Sequence, residues 1–433
     1  MSAMRTLPCR LALLVAGVVG AAMVVAVVPS VAASAETDAA PVNFHQWNST
    51  VDFLFGRGEG VLPDVRGGVR IGRPVGTVEH TEPLLGTTRT YEYARWTSPM
   101  YRQGFDATQL VASWNATTPA KTWLQIEMQG RTAAGATTQW YTMGRWAQGD
   151  TDIVRTSVPD QEDAAGFVDV DTFVANTGQS LRSYQLRVTM YREAGSRVSP
   201  HLSMVGAMTS AIPDRFTVPI SGPAGAWGIE LPVPRLSQNI HVGQYPQYGG
   251  GGEAWCSPTS TEMVVEYWGK RPSDADLAWV DPSFADPSVD HAARFTYDKD
   301  YDGTGNWPFN TAYASTLGLA GHVTRLHSLA ELEQYIKAGI PVVTSQSFRA
   351  DELDGAGYGT SGHLMVIIGF TATGDVIAND PASSSDEAVR NVYRRDQFEN
   401  IWLRTKRFTA TGKIASGSGG VAYIIHPTGK RTP

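Results

Sequence analysis

Gly251 to Trp268 reads GGEAWCSPTSTEMVVEYW, and its cysteine is placed where a thiol can react. Pro258 is excluded from helix interiors but suits the first helical position. Ser257 is then the expected N-cap. Thr259 and Glu262 also have capping-box spacing, which leaves the first helical residue open. Met263, Tyr267 and Trp268 supply an apolar stripe, and Gly269 ends the helix. In each version Cys256 lies at or just before the helix N-terminus. Unpaired N–H groups and the helix dipole stabilise negative charge on sulfur there. The chemistry implied is nucleophilic attack by a thiolate. The alternative is a buried, inert thiol.

A thiolate hydrolase needs an imidazole. His291, His322, His327, His363 and His426 follow Cys256, and His363 has the best context. Leu364 to Phe370 (LMVIIGF) reads as a strand, Thr371 to Gly374 as a turn, and Asp375 to Asp380 as the returning strand. If Phe370 pairs with Asp375, Met365 pairs with Asp380, and His363 lies on the same face. Diagonal neighbours on one face are roughly 7–8 Å apart, within side-chain reach. Asp380 can therefore orient the imidazole, as the third member of a triad must. Alone, His363 reads as a core-edge histidine and Asp380 as an Asp-Pro strand ending.

Five pieces together resemble papain-like cysteine peptidases, in particular the bacteriocin-processing (double-glycine leader) peptidase family and its secreted relatives. They are Leu236-Ser-Gln238, Trp255-Cys-Ser-Pro-Thr-Ser260, Gly339-Ile-Pro-Val-Val343, Gly362-His-Leu-Met-Val366 and Asn379-Asp-Pro381. The resemblance covers roughly Pro232 to Trp402. It implies that Cys256 is the nucleophile, His363 the base and Asp380 its orienter. It also implies that Gln238 is the oxyanion donor beside the Cys256 N–H. Family members usually carry this glutamine only a few residues before the cysteine. Here a Tyr/Gly-rich insertion containing Gln244 and Gln247 intervenes, so three amides compete for the role. Gln238 follows an extended Val233–Ser237 segment that could hold it rigidly. The leader-processing enzymes belong to membrane exporters with nucleotide-binding domains, so leader cleavage is not expected here.

The elements that must position these residues fall into two halves. At 433 residues and 42% hydrophobic, the chain suits two domains. From about Asn43 to Ser210 the pattern has period two. Leu124, Ile126 and Met128 alternate with Gln125, Glu127 and Gln129, as Tyr184, Leu186, Val188 and Met190 do with polar neighbours. The reading is an antiparallel β-sandwich over 43–215. It carries Trp47, Trp96, Trp114, Trp123, Trp140 and Trp146, expected mostly as core. Val218 to Gly228 (VPISGPAGAWG) reads as a linker. Residues 229–433 read as an α+β, papain-like peptidase domain. Within it Ser328 caps a helix that Gly339 stops.

Residues 1–33 read as a signal peptide. Arg5 and Arg10 precede the apolar run Leu11–Val28, and small residues follow for cleavage after Ala33 or Ala35. Cleavage removes Cys9 and leaves Cys256 as a single thiol in a secreted protein, where oxidation makes an unpaired cysteine conspicuous. The expected location is extracellular, with no membrane contact after cleavage. The formal charge of −7 argues against nucleic acid. No cofactor is expected. Asp298-Lys-Asp-Tyr-Asp-Gly303 resembles a calcium loop, but its twelfth position is Phe309. It reads instead as a solvated acidic loop, and no metal site is expected.

The expected activity is cysteine-type peptidase, acting on a peptide or protein, with a cell-wall polymer as a second partner through the sandwich. Two other readings stand beside it, the first using the same residues. One is a cell-wall amidase or transglutaminase-like acyltransferase. The other is a non-catalytic cell-surface or carbohydrate-binding protein.

Overall fold

The computed structural model describes residues 41–433. The predicted signal segment and Cys9 lie outside these residues. Residues 42–210 form two packed antiparallel sheets, as their alternation requires. One sheet centres on Gln109–Thr117 and His201–Ser210. The other centres on Thr87–Thr97, Leu181–Glu193 and Thr122–Thr132. Leu124, Ile126 and Met128 face inward and are fully buried, opposite Met190, Val188 and Leu186 across the ladder. Glu127 on the other face accepts from Nε and Nη2 of Arg187, each at 2.7 Å. Trp47, Trp96, Trp114, Trp123 and Trp146 are buried, and Trp140 is half-buried beneath Arg187.

The C-terminal half is mixed α/β. Its six-stranded antiparallel sheet runs in the order Leu319–Arg325, Val421–Pro427, Val342–Phe348, Thr360–Phe370, Val376–Asn379, Arg390–Tyr393. The helix Cys256–Tyr267 packs against Thr360–Phe370. Ser328 accepts from the Glu331 N–H at 3.0 Å and caps the helix Leu329–Lys337, as the sequence predicts.

The two halves share one compact unit. Phe309, from the helix Trp307–Thr316, enters the sandwich core beside Trp114 and Trp146, with ring centroids 6.0 and 5.5 Å away. A Cβ on Gly144 would meet this ring at 3.0 Å, so the glycine makes room for it. Asn115 donates to the Gly321 carbonyl at 2.8 Å and accepts from its N–H. The Pro/Gly passage before the second half is docked on the helix Leu329–Lys337. Buried Glu333 accepts from the N–H groups of Ala224 and Ala226 and from the Trp227 indole.

Asp298 departs from the reading of its loop as solvated, although Asp300, Tyr301 and Asp302 are exposed as expected. It is fully buried and accepts from the Ser157 N–H at 2.8 Å and the Asn306 amide at 2.8 Å. A carboxylate this deep needs several donors, and Ser157 supplies two from the opposite half, its N–H and its hydroxyl at 3.1 Å. Burial raises its pKa, opposed by these bonds.

Candidate active site

The helix carrying the thiol begins at Cys256 itself. Trp255 is the capping position, with no side-chain cap, because a short 3₁₀ turn, Gly252–Ala254, feeds the chain straight in. Ser257 is therefore not the N-cap. Its hydroxyl lies 2.9 Å from the Tyr423 hydroxyl inside the domain. Pro258 remains in the first turn, where a missing N–H is tolerated. As a first-turn residue, Cys256 has no carbonyl one turn earlier in the helix to receive its N–H. The helix is buried on all sides from Ser257 to Val265, rather than along one stripe. Ser260 donates to the Leu364 carbonyl at 3.1 Å, joining the helix directly to the strand that carries His363.

His363 and Asp380 are 4% and 2% exposed. The expected four-residue turn between their strands is one residue longer, because Phe370 pairs with Val376. A bulge at Ile368, between the Ile367 and Gly369 pairs, takes up the extra residue. Val366 then pairs with Asn379, and continuing the register sets Met365 opposite Asp380. The face shared by His363 and Asp380 is preserved.

His363 Nε2 lies 2.9 Å from Asp380 Oδ1. Asp380 Oδ1 also accepts the Ala382 N–H at 3.0 Å. Its Oδ2 accepts the hydroxyls of Tyr358 at 2.9 Å and Tyr393 at 2.7 Å. Burial works against the charge on Asp380, yet His363 and these donors hold its carboxyl below the usual range. An ionised Asp380 accepts only, so Nε2 carries a proton and Nδ1 is left for the thiol. Burial alone would lower the His363 pKa. The charge and hydrogen bond of Asp380, with those of Cys256, reverse this and raise it to about 10.

Gln238 reaches the same cleft because the insertion after it closes on itself. Gly252 lies against the His241 and Gln238 backbones, where a Cβ would come within 2.3 Å of the His241 carbonyl carbon. Gln238 Nε2 donates to the Glu253 carbonyl at 2.9 Å, and its own N–H bonds to the Pro381 carbonyl at 2.8 Å. The glutamine is thus fixed both to the turn before Cys256 and to the residue after Asp380. Gln244 instead meets the buried His241 ring, 2.9 Å from Nδ1. Gln247 lies on a separate cavity.

Gln238, Cys256 and His363 line one open cleft of about 880 Å³, with Tyr358 on the same wall. Among the described residues no other histidine lines it. His322 is half-buried and stacks on Phe44 at 4.0 Å, and desolvation of its ring lowers it to about 3. His291 bonds to the Tyr313 hydroxyl at 3.1 Å, and burial lowers it to about 4. His327 lies 2.8 Å from Glu331, and His426 3.0 Å from the Pro427 carbonyl. Tyr358 and Tyr393 are the residues that sequence reasoning missed. The first lies in a loop and the second ends a strand, and neither has a spacing that marks it. Among the described residues no group of three or more His, Cys, Asp or Glu is placed to hold a metal ion.

Comparison with known families agrees with this architecture in both halves. Residues 43–210 match the peptidase C39 N-terminal domain, and residues 230–410 match the peptidase C39-like family. The chain belongs to the C39-like peptidase family. A solved structure described as a C39-like peptidase from Bacillus anthracis is 19% identical. It covers 47% of this chain and 98% of its own, with a TM-score of 0.29. A hypothetical protein from Leishmania major is 11% identical over 35% of this chain and 75% of its own, with a TM-score of 0.11. At those TM-scores neither likeness adds to the assignment. No curated protein matches the chain.

Proposed function

We propose that this chain is an exported cysteine peptidase in which Cys256, His363 and Asp380 act as a triad. The observation that carries the reading is the buried His363, bonded through Nε2 to Asp380 and facing the thiol at the head of a helix. The Cys256 sulfur attacks the scissile carbonyl. The imidazolium then gives its Nδ1 proton to the leaving amine, and a water deprotonated by His363 releases the acyl group. Gln238 serves the oxyanion. One of its Nε2 protons is engaged by Glu253, and the second is available beside the Cys256 N–H. Family membership supports a peptide as substrate. Export rests on the basic and apolar N-terminal segment of the sequence.

The test is profiling of purified protein on a mixed peptide library. Wild type is expected to cleave, and Cys256→Ala to lose all cleavage. Equal cleavage by both proteins overturns the assignment.

A further inference from the structure

The catalytic cleft does not end within the C-terminal half. A second cavity of about 660 Å³ adjoins it, and the two share Tyr301, Gly305, Trp307 and Ser416 to Ser418 as a common wall. Its far side belongs to the sandwich. There the strands Gly166–Asp169 and Thr172–Ala175 form a tight hairpin, with Asp169 paired to Thr172, at one edge of a sheet. Asp169, Val170 and Asp171 all line the cavity.

The hairpin tip is held firmly. Val170 has φ of 54°, a left-handed conformation that a β-branched residue adopts only under strain. Asp171, buried, accepts the Trp307 N–H at 2.8 Å and the Thr172 hydroxyl at 2.9 Å. Since Trp307 begins a helix of the other half, a sandwich carboxylate sits on that helix's N-terminus and fixes the shared wall. Asp171 is thus engaged, whereas Asp169 is exposed at the cavity edge and makes no ion pair among the described residues.

The exposed, unpaired charges among the described residues of this path are acidic. The catalytic cleft is lined by Glu253 and Asp302, and by no lysine or arginine. In the second cavity Lys406 pairs with Asp214 at 3.5 Å. Arg325 is occupied by the carbonyls of Ser418 and Gly419 and by Gln109. Among the described residues Asp169 is the exposed acid of the second cavity that has no ion pair, whereas the cation Arg325 is buried.

We infer that the sandwich hairpin Gly166–Ala175 is the distal wall of one extended substrate groove, in which Asp169 selects a polypeptide carrying a lysine or arginine several residues from the scissile bond. This rests on the peptidase reading and adds a substrate class to it. Each cavity is roughly 9 Å across by its volume, so together they take about five residues of extended chain. A cation on that chain meets Asp169 at the exposed edge of the groove, where a charge pair adds a modest, salt-dependent preference.

The experiment separates the groove from the chemistry by using Cys256→Ala protein with labelled ten-residue peptides. The peptides differ only in carrying Lys or Glu at one scanned position, and binding is read by fluorescence anisotropy. At one position the Lys peptide is expected to bind about three- to tenfold more tightly than its Glu counterpart. Asp169→Asn brings that ratio towards one, and Asp169→Lys inverts it. Both changes are at an exposed side chain. Equal binding at every position, binding too weak to detect, or a preference unmoved by Asp169→Asn overturns the groove. Charge-selective binding without cleavage by wild type keeps the groove and overturns the peptidase. Cys256-dependent cleavage with no charge preference keeps the peptidase and overturns the groove.

Discussion

Asp380 holds His363 through one carboxylate oxygen while its other oxygen receives two tyrosine hydroxyls, from Tyr358 and Tyr393. The acid that orients the imidazole is therefore itself oriented from a second side. It has four donors in a site closed to water, which suits a carboxylate that stays ionised while buried.

The alkaline limb of kcat/KM follows from this arrangement. His363 is raised from 6.5 to about 10, against burial, by Asp380 and Cys256. The protonated ring is the competent form, so activity persists above neutrality and falls as pH rises through about 10. Removing the acid in Asp380→Ala leaves burial as the dominant influence and moves that limb down by about 1–3 units. A limb unmoved by the substitution contradicts the pairing.

Asp380→Asn should retain more activity than Asp380→Ala. Asparagine can turn its oxygen to His363 and Ala382 and its NH₂ to the tyrosine hydroxyls, which rotate to accept. Alanine leaves all four donors unpaired, and urea denaturation should show it to be the less stable of the two. Equal and complete loss of activity in both would assign Asp380 a structural task alone.

Replacing either tyrosine by phenylalanine removes one charge-assisted bond to Asp380. Each change should cost roughly 1.5–3 kcal/mol of stability by urea denaturation. An Asp380 with one donor fewer keeps more of its charge for the imidazolium, so each should raise the alkaline limb, which loss of a merely packed ring would not do.

Gln238→Ala should lower kcat by about 10²–10³ with little change in KM, as loss of one oxyanion donor does. Gln244→Ala and Gln247→Ala should keep kcat near wild type, since neither lines the Cys256 cleft. A collapse of kcat in either of these, with Gln238→Ala unaffected, would reassign the donor.

Asn115→Leu tests the union of the two halves. It leaves both backbone groups of Gly321 unpaired in a buried position. The expected loss is roughly 2–4 kcal/mol, read as a lower midpoint of one cooperative transition. Two separate transitions in the wild type would show that the halves unfold independently.

Much of this was legible because it rests on periodicity and placement. Period two set the inward faces at Leu124–Met128 and Tyr184–Met190, and a proline two residues after Cys256 set a helix start near it. What was not legible depended on tertiary contact. Ser257 has the chemistry of a cap, but a 3₁₀ turn supplies the entry and Tyr423 takes its hydroxyl. Asp298 looks solvated in sequence, yet Ser157, far away in the chain, buries it. Tyr358 and Tyr393 converge on Asp380 from a loop and a strand end, and no local pattern predicts such a meeting. The His363–Asp380 face was expected from a turn one residue too short, and it survived because the bulge cancels the difference.

That cancellation makes the hairpin between His363 and Asp380 a matter of parity. The two residues stand 17 positions apart, and the bulge at Ile368 is counted in that number. Loss of one residue from Thr371–Asp375 has two outcomes. A shorter turn keeps the register and leaves the aspartate on the His363 face. A turn that stays five residues long slips the returning strand by one and carries its aspartate, with every other side chain of that strand, to the opposite side. The count between these two positions, read together with the length of the turn, therefore tells whether the acid of a descendant can still face its imidazole.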